Sequence, residues 1–300
     1  MNACLRNLSE VTNFCSHSNE RVDDSADLVI LGGWVDQYQT ILRDLKGKAC
    51  KKAVWFMSSL GQSGFTPQLC EYNFLSTIFE LMDAKLIDYL IVGGRKIYYP
   101  LRKLHDNIIL LPFPFNYNKY ETYQKPKTPW KVVFFSPKAT YKNVVNQLAA
   151  LSLAQETHPD LEVHVNNLAG TGFEFVADLF KLKYNSYGWL QDEEYYSLLG
   201  SAACSMQVTY AEVCNYGAMT AMAMGTPTLL SNVVDWLPYT KLNRNLVMGR
   251  FDSPEEIASK IITIAENPQH YSDHVKRMIR VVADKHNQGC NHILRELVET

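Results

Sequence analysis

The run from Tyr210 to Pro227, YAEVCNYGAMTAMAMGTP, holds the residue types best suited to chemistry. Its pattern predicts a strand ending near Val208, a loop carrying Glu212, a helix of small residues and Met, and a Gly225-Thr226-Pro227 turn into the next strand. Gly217, Ala218, Ala221 and Ala223 let a ligand or another backbone come close to the start of that helix. A helix N-terminus beyond the carboxyl end of a parallel strand presents unpaired amides and the positive end of the dipole to a phosphate. Tight packing of helix on sheet explains the same small residues, and this segment alone does not separate the two readings. A second polar loop, SPKATYK, follows the apolar run VVFF and carries Ser136, Lys138 and Lys142. By itself Lys142 is better read as a solvated lysine at a helix start.

These loops need a scaffold, and the chain supplies one twice. From Asp27 short apolar runs rich in Val and Ile alternate with segments of helical spacing: LVILGG, VDQYQTILRDL, KAVWFM, EYNFLSTIFELMDA, DYLIVGG and NIILLPFPF. Continuous apolar strands separated by helices mark a parallel sheet covered on both faces. The polar, proline-containing stretch from Asn116 to Trp130 is the best boundary, and a second alternation starts at Lys131. The expected organisation is an irregular lead-in (1–26), an amino-terminal Rossmann-like domain (27–120), a second such domain (131–288) and a terminal helix (289–300). The tail is read as two helices, Pro268 to His286 and about Cys290 to Val298. The fold class is α/β, two Rossmann-like halves facing a cleft.

Composition narrows the function classes. The 300 residues are 47% hydrophobic and 20% charged, ordinary globular usage. Lys plus Arg number 29 against 31 Asp plus Glu, a formal net charge of −2, so no chain-wide field exists to hold a polyanion. Dedicated nucleic-acid binding is therefore disfavoured. Seven scattered cysteines without short paired spacings predict reduced thiols. Apolar stretches such as Leu86 to Val92 are interrupted within about ten residues, against the roughly twenty of a membrane span. The start lacks the apolar stretch of a secretion signal, and the expected location is the cytoplasm.

With the motifs in view, the segment from Tyr210 to Pro227 resembles the signature of retaining glycosyltransferases of the GT-B type, family four, which use nucleotide-activated sugars. That pattern is a Glu, seven residues, a second Glu, then Ala-Met-Ala-x-Gly-Thr-Pro. Glu212 matches the first Glu, and Ala221 to Pro227 matches the tail residue for residue. Thr220 stands in place of the second Glu, which in the family binds the ribose hydroxyls. A Thr keeps one hydroxyl but lacks the charged double acceptor.

The resemblance implies further roles. Lys142 falls on the family's lysine facing the donor diphosphate, and Lys138, four residues earlier, is carried over for its arginine; Ser136 lies in the same loop. Two cations there would stabilise charge growing on the leaving phosphate. Glu212 would orient a hydroxyl of the donor sugar, and Asn215, Tyr216 and Gly217 would hold the phosphate at the helix start. Gly188, Trp189 and Leu190 match the turn that holds the nucleobase, although Trp189 and Leu190 also suit a core. The implied reaction moves a sugar, with retention and with no metal or cofactor, to a glycan or other hydroxyl acceptor, in polysaccharide or glycoconjugate synthesis. The amino-terminal half departs from the family: it counts four strands, an abbreviated half, and its loop SSLGQSGFTP holds no His, only Ser58, Ser59, Gln62 and Ser63. Those departures, with Thr220, favour the alternative of a non-catalytic GT-B-like subunit that partners an active glycosyltransferase.

Two remaining clusters have simple readings. Arg43, Lys46, Lys48, Lys51 and Lys52 form a cation run, read as a solvated face or a contact with an anionic membrane or acceptor. His286, Cys290 and His292 lack a second ligand cluster and are read as a surface helix end.

Overall fold

The computed structural model describes residues 26–33, 37–62, 71–135 and 140–299. They fall into two compact units: one runs up to Asn116 and takes in Ala283 onward, and the other is Tyr117–Val282.

In the first unit β1 (Leu28–Gly32), β2 (Lys51–Phe56), β3 (Tyr89–Val92) and β4 (Ile108–Leu110) form one parallel sheet in sequence order. The intervening helices are α1 (Gln37–Asp44), α2 (Glu71–Asp83) and α3 (Arg95–Leu101). Val54 and Leu90 on the strands pack with Leu42 of α1 and Ile78 of α2 in one core. Strands covered on both faces need apolar residues at successive positions, and KKAVWF is buried from Lys52 onward.

The second unit starts earlier than the polar composition of 116–130 suggests. That stretch carries α4 (Tyr117–Glu121) and the first residues of β5 (Thr128–Phe134). It is packed in, not a linker: Lys127 Nζ donates to Gly200 O, Met224 O and Thr226 Oγ1 at 2.6, 2.9 and 2.9 Å. The unit continues with α5 (Val144–Thr157), β6 (Glu162–Asn166), α6 (Phe173–Leu179), β7 (Asn185–Tyr187), α7 (Asp192–Ser201) and β8 (Ala202–Gln207). Then come α8 (Tyr216–Ala223), β9 (Thr228–Ser231), β10 (Val247–Met248), α9 (Pro254–Glu266) and α10 (Pro268–Glu299). The six strands lie in the order β10-β9-β8-β5-β6-β7, and every pair is parallel. The direction of build-up reverses at β5, because β6 is added on one side and β8 on the other. In open parallel sheets ligands bind beyond the carboxyl ends of the strands at such a reversal. The loops leaving β5 and β8 are the ones that carry Lys142 and Glu212. α9 packs on α5, burying Ile257 and Ile261 together with Leu148 and Leu151. Each such side chain contributes about 1.5–3 kcal/mol by burial.

Several expectations are corrected. The tail is one helix, α10, and Gly289 lies inside it without breaking it. A Cβ at Gly289 would stand 3.1 Å from Pro112 Cγ, so a side chain there would press on the loop after β4. His286 and Cys290 are buried, not at a surface helix end: His286 Nδ1 meets Phe113 O at 2.9 Å and Cys290 Sγ donates to Pro112 O at 2.7 Å. The tail from Ala283 thus belongs to the first unit, and the expected edges 27–120, 131–288 and 289–300 shift accordingly. The cation run is not one solvated face, since Lys51 Nζ donates to Leu297 O at 2.8 Å and buried Lys52 pairs with Asp88 at 3.6 Å. The lead-in reading lies outside the described residues except for Ala26. Among the described residues four cysteines, Cys50, Cys204, Cys214 and Cys290, are buried free thiols, and no helix is long and apolar enough to cross a membrane.

Candidate functional site

The exit of β8 is held residue by residue. Val208 N donates to Gln147 Oε1 on α5 (3.1 Å), Thr209 N to Ser231 Oγ at the end of β9 (3.1 Å), and Tyr210 N to Tyr141 O (2.8 Å). Three consecutive amides that have left the sheet ladder are thereby fixed to three neighbouring elements, and the chain reaches Glu212 along a set path.

The Lys142 side approaches from β5. Residues Thr140–Lys142 form a single turn of 3-10 helix, and Asn143 follows at φ 55° as the N-cap of α5. Asparagine tolerates this left-handed conformation better than most residues. Its buried carboxamide is used at both ends, Nδ2 donating to Phe251 O (2.6 Å) and Oδ1 accepting from Asn146 Nδ2 (2.8 Å). Asn146 also donates to the Tyr210 hydroxyl at 2.8 Å, and the Tyr210 ring meets Phe251 edge-on.

Lys142 and Glu212 come together: Nζ lies 2.6 Å from Oε2, and the side chains are 14% and 9% exposed. Nζ also stands 5.0 Å from the centre of the Tyr141 ring, a cation–π contact. A cation and a carboxylate, both largely removed from water, face each other at the carboxyl ends of the two strands that border the reversal.

α8 begins just beyond. Asn215, at φ 53°, is its N-cap and accepts from Ala218 N through Oδ1 at 3.1 Å. Its Nδ2 is buried and has no hydrogen-bond partner among the described residues. Tyr216 and Gly217 occupy the first turn, where amides lie beyond the reach of the helix ladder. Space at Gly217 is tight, because a Cβ there would stand 3.3 Å from Gln207 Nε2, which itself donates to Phe135 O at 3.1 Å. Trp236 Nε1 donates to Cys214 O and closes the loop from behind. Thr220 is buried one turn into α8.

The remaining expected residues are placed as follows. Gly188, Trp189 and Leu190 follow the edge strand β7; Trp189 is 83% exposed, which removes the core reading for it, and Leu190 is half-buried. Gly188 has open space where a side chain would stand. Ser136 and Lys138 lie outside the described residues. In the first unit Gln62 Oε1 accepts from Ser59 N at 2.8 Å, a loop-capping contact, and Ser63 lies outside the described residues. Among the described residues no group of three or more His, Cys, Asp or Glu is placed to hold a metal ion.

Sequence reasoning missed Gln147, Asn143, Tyr210 and Ser231. A signal was present for Gln147, a carboxamide on the apolar stripe of α5 with Val144, Leu148 and Leu151.

No family model matches the chain and no curated protein matches it in sequence. Solved structures do match in three dimensions. S. aureus TarM, in a complex that includes UDP and α-GlcNAc-glycerol, superposes with a TM-score of 0.71 at 12% identity, over 99% of this chain and 58% of TarM. Sucrose-phosphate synthase from Thermosynechococcus elongatus gives 0.67 at 15% identity, over 90% of this chain and 73% of the synthase. An E. coli trehalose-6-phosphate structure bound with UDP-2-fluoro glucose gives 0.67 at 12%, over 93% and 74%. This chain thus spans little more than half the length of TarM. At these identities the likeness is one of architecture, and with the two parallel sheets and the strand reversal at β5 it gives the chain the GT-B fold.

Proposed function

We propose that this chain transfers a glycosyl group from a nucleotide-activated sugar to a hydroxyl acceptor, with retention at the anomeric carbon. The observation that carries this reading is the Lys142–Glu212 contact at the strand reversal. Each member suits one part of a donor. Lys142 neutralises the diphosphate as the glycosidic bond breaks and negative charge builds on the leaving group. The amides at the start of α8 add the positive end of its dipole, and the Asn215 Nδ2–H supplies a donor for a phosphate oxygen. Glu212, released when the diphosphate takes Lys142, accepts a hydrogen bond from a sugar hydroxyl. With these groups neutralising the leaving diphosphate, the reading uses no divalent ion. Exposed Trp189 offers a face for the base beyond Gly188.

Thermal shift with UDP, GDP and ADP and their sugars, followed by a hydrolysis assay on the best binder, tests the reading. At 100 times its dissociation constant a ligand stabilises the fold by about 2.7 kcal/mol. No shift with any of them sinks the proposal. Thr220, buried where the resemblance has an acid, favours a second reading, a binding subunit without turnover. Binding of a nucleotide sugar with neither transfer nor hydrolysis across an acceptor panel would select it.

A further inference from the structure

We propose that Gln147 is a positioning residue for Lys142, acting through the carbonyl of the Lys142 turn and the first amide beyond β8. The proposal deepens the reading of Lys142 as the diphosphate cation and rests on it.

Gln147 is 1% exposed, and a buried carboxamide is costly unless both ends are bonded. Both are. Nε2 donates to Lys142 O at 2.6 Å, and Oε1 accepts from Val208 N at 3.1 Å. The helix ladder explains why these two atoms need a partner. The backbone amide of Gln147 already serves Asn143 O at 3.2 Å, the first rung of α5. Lys142 O lies one residue upstream of that rung, so the side chain of Gln147 extends the ladder one step back. Val208 N lies one residue past the end of β8, so the same side chain extends the sheet by one amide. One carboxamide therefore spans the two loops whose tips hold Lys142 and Glu212. The second rung between those loops is the bond from Tyr210 N to Tyr141 O at 2.8 Å. An apolar residue of similar length fills the space of Gln147 and satisfies neither atom.

The consequence is a fixed position for the Lys142 turn before any ligand arrives. Pre-set charge is what an anion site needs, because a cation on a slack turn must be ordered at the moment of binding.

The experiment is a double-mutant cycle read by calorimetry with UDP, GDP and ADP, and with the nucleoside of the best binder (uridine, guanosine or adenosine) as the phosphate-free control. Gln147→Met should weaken the best-binding diphosphate about tenfold and leave its nucleoside unchanged. In a Lys142→Ala background the same substitution should change diphosphate affinity less than twofold. Gln147→Glu keeps the acceptor for Val208 N but sets a carboxylate oxygen against Lys142 O, and it should bind as poorly as Gln147→Met. Equal losses in both backgrounds, or full affinity in the Glu variant, overturn the proposal.

A ligand-free measurement separates its failure from that of the functional reading. Acylation of lysines by an amine-reactive ester, followed by mass spectrometry, should show Lys142 modified about tenfold faster in Gln147→Met than in the parent, with Lys127 unchanged. If the parent binds none of the three diphosphates, the functional reading fails while the acylation rates still decide the role of Gln147. An unchanged Lys142 rate overturns it.

Discussion

Lys142 and Glu212 stand 70 positions apart in the chain and meet at 2.6 Å, each with most of its side chain withdrawn from water. Mutual attraction in such a pair is offset by the cost of desolvating both charges, so the pair stabilises the fold only modestly. Its significance lies in competition. On the proposed reading, a diphosphate that takes Lys142 displaces Glu212 from it, and the carboxylate then accepts a hydrogen bond from the donor's sugar.

Glu212→Gln should therefore tighten nucleoside diphosphates while removing turnover. The ion pair predicts a gain of about threefold to tenfold, because Lys142 no longer has a charged rival. Donor hydrolysis or transfer should fall about a hundredfold, roughly 2.7 kcal/mol of transition-state stabilisation. Turnover at the parent rate would make Glu212 structural.

Lys142→Ala should act on phosphate recognition and on stability at once. Affinity for UDP should drop by about 1.5–3 kcal/mol and affinity for uridine should stay level, since one charge-assisted contact is lost and the base is untouched. Loss of the ammonium opposite the largely buried Glu212 carboxylate should lower stability in urea unfolding. Adding Glu212→Gln to this variant should restore most of that loss, because it removes the charge whose ion-pair partner was taken away. A double variant no more stable than Lys142→Ala alone contradicts the assignment.

The repeated apolar runs made the strands legible, and the small residues after Glu212 marked the helix start that became α8. The alternation follows directly from burial on both faces of a parallel sheet, so it survives in one dimension. Gln147 was not legible as a bridge, because Val208 N and Lys142 O become neighbours only once β8 is placed beside β5, a fact of strand order that no local pattern carries. The tail was misread for a related reason. Gly289 looks like a stop until Pro112 is seen to lie close against it, and His286 and Cys290 look like surface polars until the loop after β4 supplies their acceptors. Lys127 gave no local sign of its three acceptors on two distant helix ends.

That lysine should make stability depend on pH near neutrality. Its ammonium has three donors for three acceptors, while burial first and nearby Lys276 second push its pKa down to about 7. Between about pH 7 and the ordinary lysine value near 10.4, the unfolded chain holds a proton that the folded one lacks, so stability rises with pH. The slope is at most about 1.4 kcal/mol per pH unit. Lys127→Met lacks this slope, so the stability difference, parent minus variant, should grow from pH 7 to pH 9. Parallel unfolding curves for the two proteins would falsify the assignment.

His286 should govern the acid side of the first unit. It is buried against the loop after β4, with Nδ1 at 2.9 Å from Phe113 O, so the neutral ring donates there through Nδ1–H. Burial pushes its pKa down to about 4; the bond to Phe113 O works against that shift and the charge of Arg95 adds to it. A depressed base binds its proton later in the folded state than in the unfolded one. Between about pH 6.5 and pH 4 the unfolded chain therefore takes up the proton first, and stability falls as pH falls through that window. The loss reaches at most about 3 kcal/mol at the lower end. His286→Gln retains a donor for Phe113 O and carries no titrating group. Its stability relative to the parent should therefore improve steadily from pH 7 to pH 4.5 in urea unfolding. A constant difference across that range would mean that the ring takes up its proton in the folded protein as readily as in the unfolded chain, and the buried neutral assignment fails.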